Sequence, residues 1–184
     1  MTEDLQSSEL IPAGGSWGAV LFDNPSIGYE PSLHWEFIFQ FQEIQRNYGI
    51  TGCHLSVDWV QLRVTDWRSM PTIKLACNEF GKPVESSVYF FEHYRFDSVV
   101  LTIGEQRGRQ LHVAADVQGD VDGIGIASLH ADGWLDFDCL IVALTEEPPS
   151  IEAARATLAP FTGADGLEGV HTGHSYRFTP SAST

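Results

Sequence analysis

The sequence predicts an α+β fold, mainly an antiparallel β-sheet meander with one C-terminal helix packed on it. Apolar residues alternate with polar ones along most of the chain, as they must on strands with one buried face. The alternating runs arrive at near-regular intervals, joined by short turns rich in Gly, Asp and Asn. Only the stretch after Pro148-Pro149 carries helix punctuation at both ends.

Residues 1–16 are polar and close on Pro12, Gly14 and Gly15, which reads as a flexible arm. A single globular domain over 17–179 follows, then a disordered tail over 180–184. Trp17–Phe22 is a first strand, ended by Asp23-Asn24-Pro25. In Leu33–Phe41 the odd positions Leu33, Trp35, Phe37, Phe39 and Phe41 are all large and apolar, which reads as a strand. Phe37, Phe41, Ile44 and Tyr48 also keep helical spacing, with Gly49 as a C-cap, so a helix over 36–48 is the rival.

His54–Val64 alternates through Leu55, Val57 and Trp59, then through Val60, Leu62 and Val64, a phase change of the kind a β-bulge produces. Thr72–Cys77, Val84–Phe91, Ser98–Ile103 and Gln110–Val117 are further strands. Asn78–Pro83, Gly104–Gly108 and Gly119–Gly123 are the turns. Ile124–Leu129 reads as a strand of its own, turned by His130-Ala131-Asp132-Gly133 into Trp134–Leu144. That last run is the most apolar and therefore central, with Trp134, Leu140 and Val142 as core residues. The helix takes Ser150 as N-cap, Glu152 in its first turn, a stripe of Ile151, Ala154 and Leu158, and Pro160 as its stop. A short strand near Tyr176–Phe178 ends the domain.

Composition narrows the function. In 184 residues, 43% hydrophobic content supports a real core without staples. No apolar run approaches the roughly 20 residues needed to span a bilayer, and Met1-Thr2-Glu3-Asp4 opens no secretory signal, so a cytoplasmic protein is expected. Cys53, Cys77 and Cys139 are odd in number and form no CxxC pair, which predicts buried free thiols. Ten basic residues against 25 acidic give a net charge of −15, a field that repels nucleic acid and anionic lipid and attracts basic partners.

The chemical motifs fail on context. Gly14-Gly15-Ser16-Trp17-Gly18 fits GxSxG, but a nucleophile elbow needs a strand before the Ser and a helix after it, and here the strand follows. Asp116, Asp120 and Asp122 miss the EF-hand register whichever Asp is taken first. Gly123-Ile124-Gly125 has no third Gly and no helix after it. His171 and His174 form an HxxH without the further ligands zinc requires. No catalytic residue, cofactor or metal is therefore assigned.

The aromatics Trp35, Trp59, Trp67, Trp134, Phe90, Phe91, Tyr94 and Phe96 read mostly as core. The run Tyr89–Phe96 carries apolar groups on both faces and side-chain types common at interface hot spots. Tyr94 and Arg95 are the candidate anchors for a protein partner, and Asp116, Asp120, Asp122 and Asp132 the candidate steering charges.

In size, acidity and organisation the chain resembles bacterial immunity proteins of polymorphic or contact-delivered toxin systems, and Pro31-Ser32-Leu33-His34-Trp35-Glu36 followed by strand-like runs is similar to stretches in some of their families. That resemblance implies a protein-binding inhibitor that neutralises a cognate, basic toxin directly. The alternative is a small-molecule-binding domain or an enzyme without a recognised motif, which would show a deep pocket with convergent polar groups.

Overall fold

A computed structural model describes residues 5–47, 49–79, 82 and 84–181. Its strands are β1 (Pro12–Asn24), β2 (Tyr29–Arg46), β3 (Gly49–Val60), β4 (Ile73–Cys77), β5 (Glu85–Phe90), β6 (Glu92–Arg107), β7 (Gln110–Asp120) and β8 (Ser128–Ala143). Helix α1 (Ile151–Leu158), β9 (Leu167–His171) and β10 (Tyr176–Pro180) complete the order. Tyr29–Arg46 is a strand and not the rival helix.

The sheet is not an open meander. β1 pairs antiparallel with β2 on one side and parallel with β8 on the other, so β1-β2-β3-β5-β6-β7-β8 close into a seven-stranded barrel. Closure needs strongly coiled strands, and bulges provide the bend. Register slips between the pairs Trp35↔Val60 and Phe37↔Val57 across β2 and β3, and again between Trp17 and Ala19 along the β1–β8 seam. Closing the sheet also removes edges that a meander would leave unpaired. β4 adds to the upper part of β6, and β10 then β9 extend from the C-terminal half of β8.

The barrel is filled with side chains. Trp17 lies 5.8 Å from Trp35 and 4.9 Å from Phe137, while Trp67 stacks on Phe137 at 4.0 Å. Phe37, Leu55, Val57, Ile103, Leu111 and Val113 pack around this plug with no exposure. Such an interior is a packed core.

Several expectations are corrected. Residues 5–16 are not a loose arm: Leu5 and Leu10 are buried, Ser7–Glu9 forms a 3-10 turn, and Glu9 makes two hydrogen bonds with Arg46. The two strands expected over 124–144 are one, β8. Of its supposed hairpin residues Ala131 is buried, while His130 and Asp132 face outward in a polar ladder, His130 Nδ1 at 2.7 Å from Asp116 and His112 Nε2 at 3.0 Å from Asp132. Segment 121–127 is instead a loop, anchored by buried Ile124 and Ile126. Leu140 and Val142 are in the core, but Trp134 faces outward beneath the Arg107 guanidinium, 4.4 Å from its ring centroid. β9 was not anticipated. Met1–Asp4, Tyr48, Phe80, Gly81, Pro83 and Ala182–Thr184, which include parts of the expected arm, turn and tail, lie outside the described residues.

The helix follows its sequence signals. Ser150 accepts a hydrogen bond from the Ala153 amide, and Ala154 and Leu158 are buried. Its start rests over Gly169 of β9, where an added Cβ would come within 2.5 Å of Ile151.

Candidate functional site

The residues singled out in the sequence are mostly engaged within the molecule. Tyr94 points inward, only 8% exposed, and its hydroxyl donates to Glu92 at 3.0 Å. Arg95 is tied to Asp122 by its side chain at 2.6 and 2.9 Å and by its backbone amide at 2.8 Å. The Arg95 guanidinium holds the Asp122 carboxyl down at about 2. Asp120 accepts the amides of Gly123, Ile124 and Gly125 and so shapes the loop before β8. Asp116 and Asp132 face the histidines of the outer ladder. Of these acids only Asp122 borders a concavity with Tyr94 and Arg95, a depression of about 460 Å³ that Glu92 and His93 also line, and Asp116, Asp120 and Asp132 are not on its lining.

A different region has the character of a site: the outer wall formed by the C-terminal half of β1, the first half of β2, the end of β3 and the start of β5. The bulge between Val57 and Val60 turns Trp59 out of the barrel. Sequence alternation places Trp59 on the face of Leu55 and Val57, but it is 41% exposed. Its φ of 63° lies in the left-handed region, which costs a bulky residue about 1–2 kcal/mol. Strain of this order persists only where the surroundings enforce it.

Around the indole stand Phe22, Tyr29 and His34, and beside them the carboxylates Glu36, Asp58 and Glu85. Two adjoining depressions, of about 390 and 350 Å³, share Phe22, His34 and Trp59 as a common wall. Glu36 lies opposite Gly18 of β1, where a Cβ would strike the Cys139 carbonyl at 2.5 Å, so no side chain covers it from that strand. Asp58 lies directly opposite Glu85 across β3 and β5. Like charges in that position repel.

Electrostatics single out the same acids. Burial, then Asp58 and Asp138, raise the pKa of Glu36; burial, with Glu85 adding, raises that of Asp58. Among the described residues no ion pair reaches Glu36, Asp58 or Glu85. His34 is 5% exposed and burial lowers its pKa. Gln61 donates to the Tyr29 hydroxyl at 3.3 Å, and that hydroxyl pairs with His34 Nε2 at 2.7 Å. Nδ1 is buried without a hydrogen-bond partner of good geometry.

A hydrogen-bonded chain leaves Asp58 along the same wall. Ser56 donates to Asp58 at 2.8 Å, the Ser56 and Ser87 hydroxyls are 3.2 Å apart, and Ser87 lies 3.3 Å from His93 Nδ1. With Asp58 ionised, each hydroxyl has one proton to give, so the chain runs His93 Nδ1–H to Ser87 to Ser56 to Asp58. That leaves His93 Nε2 as an acceptor. His93 and His54 flank Tyr89, with ring centroids at 5.2 and 5.3 Å.

A larger concavity, about 690 Å³, lies elsewhere, between the start of β2, residues 61–65 and the chain after α1. Arg63 is its one ionisable lining residue, joined by the polar side chains of Ser32, Gln61 and Thr65. Cys53, Cys77 and Cys139 are buried free thiols, and burial pushes Cys53 and Cys139 up to about 12, far from nucleophilic range. His171 pairs with Glu147 at 2.6 Å. Among the described residues no three His, Cys, Asp or Glu side chains gather as metal ligands, and no helix is long and apolar enough to cross a membrane.

The signal for this wall in the sequence is the phase change between Trp59 and Val60, which marks a bulge without saying which residue it ejects. In comparisons with family models, curated proteins and solved structures, the chain matches none.

Proposed function

We propose that the protein is a binding protein that captures a cationic protein partner on the Trp59 wall, and that it acts as an immunity-type inhibitor of a basic toxin. One observation carries this reading: Glu36, Asp58 and Glu85 stand half-buried beside a strained, exposed indole, and among the described residues none of the three is in an ion pair. Ionising such a cluster costs the free protein, and a docked Lys or Arg offsets that cost. The indole supplies the large rigid contact typical of interface anchors. The net charge of −15 would steer the encounter over a Debye length of about 8–10 Å.

The test is co-expression with the candidate toxin encoded beside its gene, scored as survival. Protection by the wild type that is lost in a Glu36→Gln, Asp58→Asn, Glu85→Gln triple variant supports the reading. Equal lethality with and without the wild-type protein refutes it. Loss of protection on replacing Asp116, Asp120, Asp122 and Asp132 by Asn, with the wall triple variant still protective, would move the interface to the β7–β8 side.

A further inference from the structure

Four rings on the wall form a closed circuit. Phe22 and Tyr29 are 6.2 Å apart, Tyr29 and His34 5.9 Å, His34 and Trp59 5.0 Å, and Trp59 and Phe22 6.0 Å. Trp59 stands nearly upright against both neighbours, at 70° to Phe22 and 73° to His34. All four border the 390 Å³ depression, with Glu85 also on its lining. A cation seated in that depression would lie beside aromatic rings, whose faces attract cations within roughly 6 Å.

The chain builds this box with several separate devices. β1 delivers Phe22 at its end, the Pro25–Ile27 turn returns the chain through Gly28 at φ 71°, and Tyr29 opens β2 beside it. His34 follows on the outer face of the same strand. The β3 bulge swings Trp59 across to close the circuit. Burial disfavours protonation of His34, which removes the charge that would repel a cation.

We propose that the Phe22–Tyr29–His34–Trp59 box, with Glu85 at its side, is a receptor for an alkylammonium head group. Four rings, Ile27 and one carboxylate line the depression with the amides of Asn24 and Gln61, and a lining so rich in rings suits a weakly hydrated, methylated ammonium. The head group is either a methylated lysine of a protein partner or the same group on a small molecule such as a choline. This rests on the reading of the wall as a cation-binding surface, but it is tested without any protein partner.

The full-length chain is titrated with tetramethylammonium and with choline, against sodium chloride at equal ionic strength, while the Trp59 indole NH signal is followed by NMR. The neutral carbon isostere 3,3-dimethylbutan-1-ol is the decisive control. Expected are saturable shifts of Trp59 with both ammonium ions, and binding of choline about tenfold tighter than of its isostere. Read from the backbone amide shifts of Phe22, Tyr29 and His34, retention in Trp59→Phe, loss in Trp59→Leu with the rest of the spectrum unchanged, and weakening in Glu85→Gln complete the expected pattern. Equal binding of the isostere, or no saturable shift, overturns the proposal.

A trimethyllysine peptide binding more tightly than choline assigns the head group to a protein; the reverse order assigns it to a small molecule. If the ammonium ions fail while a basic protein still binds in a manner that depends on Glu36 and Asp58, the box is refuted and the wall stands. If the ions bind but no basic protein does, the box stands without the immunity reading.

Discussion

Replacing Trp59 by Gly and by Ala separates what its backbone costs from what its ring contributes. Both changes remove an indole that is 41% exposed, so both forfeit the same apolar contact, on the order of 2 kcal/mol. They differ in the backbone. At φ 63° a Cβ costs about 1–2 kcal/mol that Gly does not incur, while Gly loses roughly 0.5–1 kcal/mol more backbone entropy on folding than Ala. The Gly variant should therefore be more stable than the Ala variant by about 1 kcal/mol, the reverse of the order in a regular strand. Urea unfolding at fixed pH measures this, provided the denaturant slopes agree. For a domain of this size the difference corresponds to about 2–4 °C in Tm. An Ala variant equal to or more stable than the Gly variant would show that the bulge does not place Trp59 in the left-handed region, and the box would lose one wall.

Leu140→Ala, at a site with no exposure, should cost on the order of 2–5 kcal/mol in urea unfolding, whereas Trp134→Ala should cost about 1 kcal/mol, the worth of an exposed cation–π contact. Glu36 has a raised pKa, so the folded state holds its proton more tightly than the unfolded chain, and this stabilisation is lost as pH rises through the folded value. Glu36→Gln should thus raise Tm at neutral and higher pH and lose that advantage in acid, read from melts across pH. Asp122 has the opposite sign: its contribution is present above the ordinary Asp range and lost as pH falls toward about 2. Asp122→Asn should narrow the gap between neutral and strongly acid stability, by under about 1 kcal/mol since the pair is half-exposed. Two-bond ¹H–¹⁵N spectra at pH 8 should show His93 protonated on Nδ1, and Ser87→Ala should shift it toward Nε2–H. An unchanged tautomer would mean that the Ser56–Ser87 link does not carry the polarity.

Strand identity was legible wherever one face is buried and the other wet. The odd positions of Leu33–Phe41 gave β2 its inward face, and Ser150 with Ile151, Ala154 and Leu158 gave α1 its cap and stripe. Closure was not legible. Parallel pairing of β1 with β8 depends on how much seven strands coil together, and no local pattern encodes that sum. His130-Ala131-Asp132-Gly133 shows how turn composition misleads: those polar residues are compatible with a hairpin, but equally with an outward ladder whose partners, His112 and Asp116, sit on the neighbouring strand. The candidate site was half legible. The phase change between Trp59 and Val60 marks the bulge, yet which residue a bulge ejects depends on its partner strand. The meeting of Phe22 and Tyr29 with Trp59 depends on the barrel.

The seam between β1 and β8 also dictates when this molecule can exist during its own synthesis. Ser16 finds its partner at Asp136 and Phe22 at Ala143, so a nascent chain lacks its closing strand until most of the sequence has left the ribosome. Up to that moment β1 has β2 on one side and a bare row of amides and carbonyls on the other, available to any extended segment nearby. Gly15 lets the neighbouring strands close on β1, because a Cβ there would lie 2.1 Å from the Ile38 carbonyl of β2 and 2.5 Å from Leu135 of β8. Contacts so distant along the chain make for slow folding, milliseconds to seconds by the trend for such topologies. A product terminated before residue 128 would carry β1 through β7 but no seam, and it should associate through the open edge and sediment as oligomers, while the completed chain no longer offers that edge.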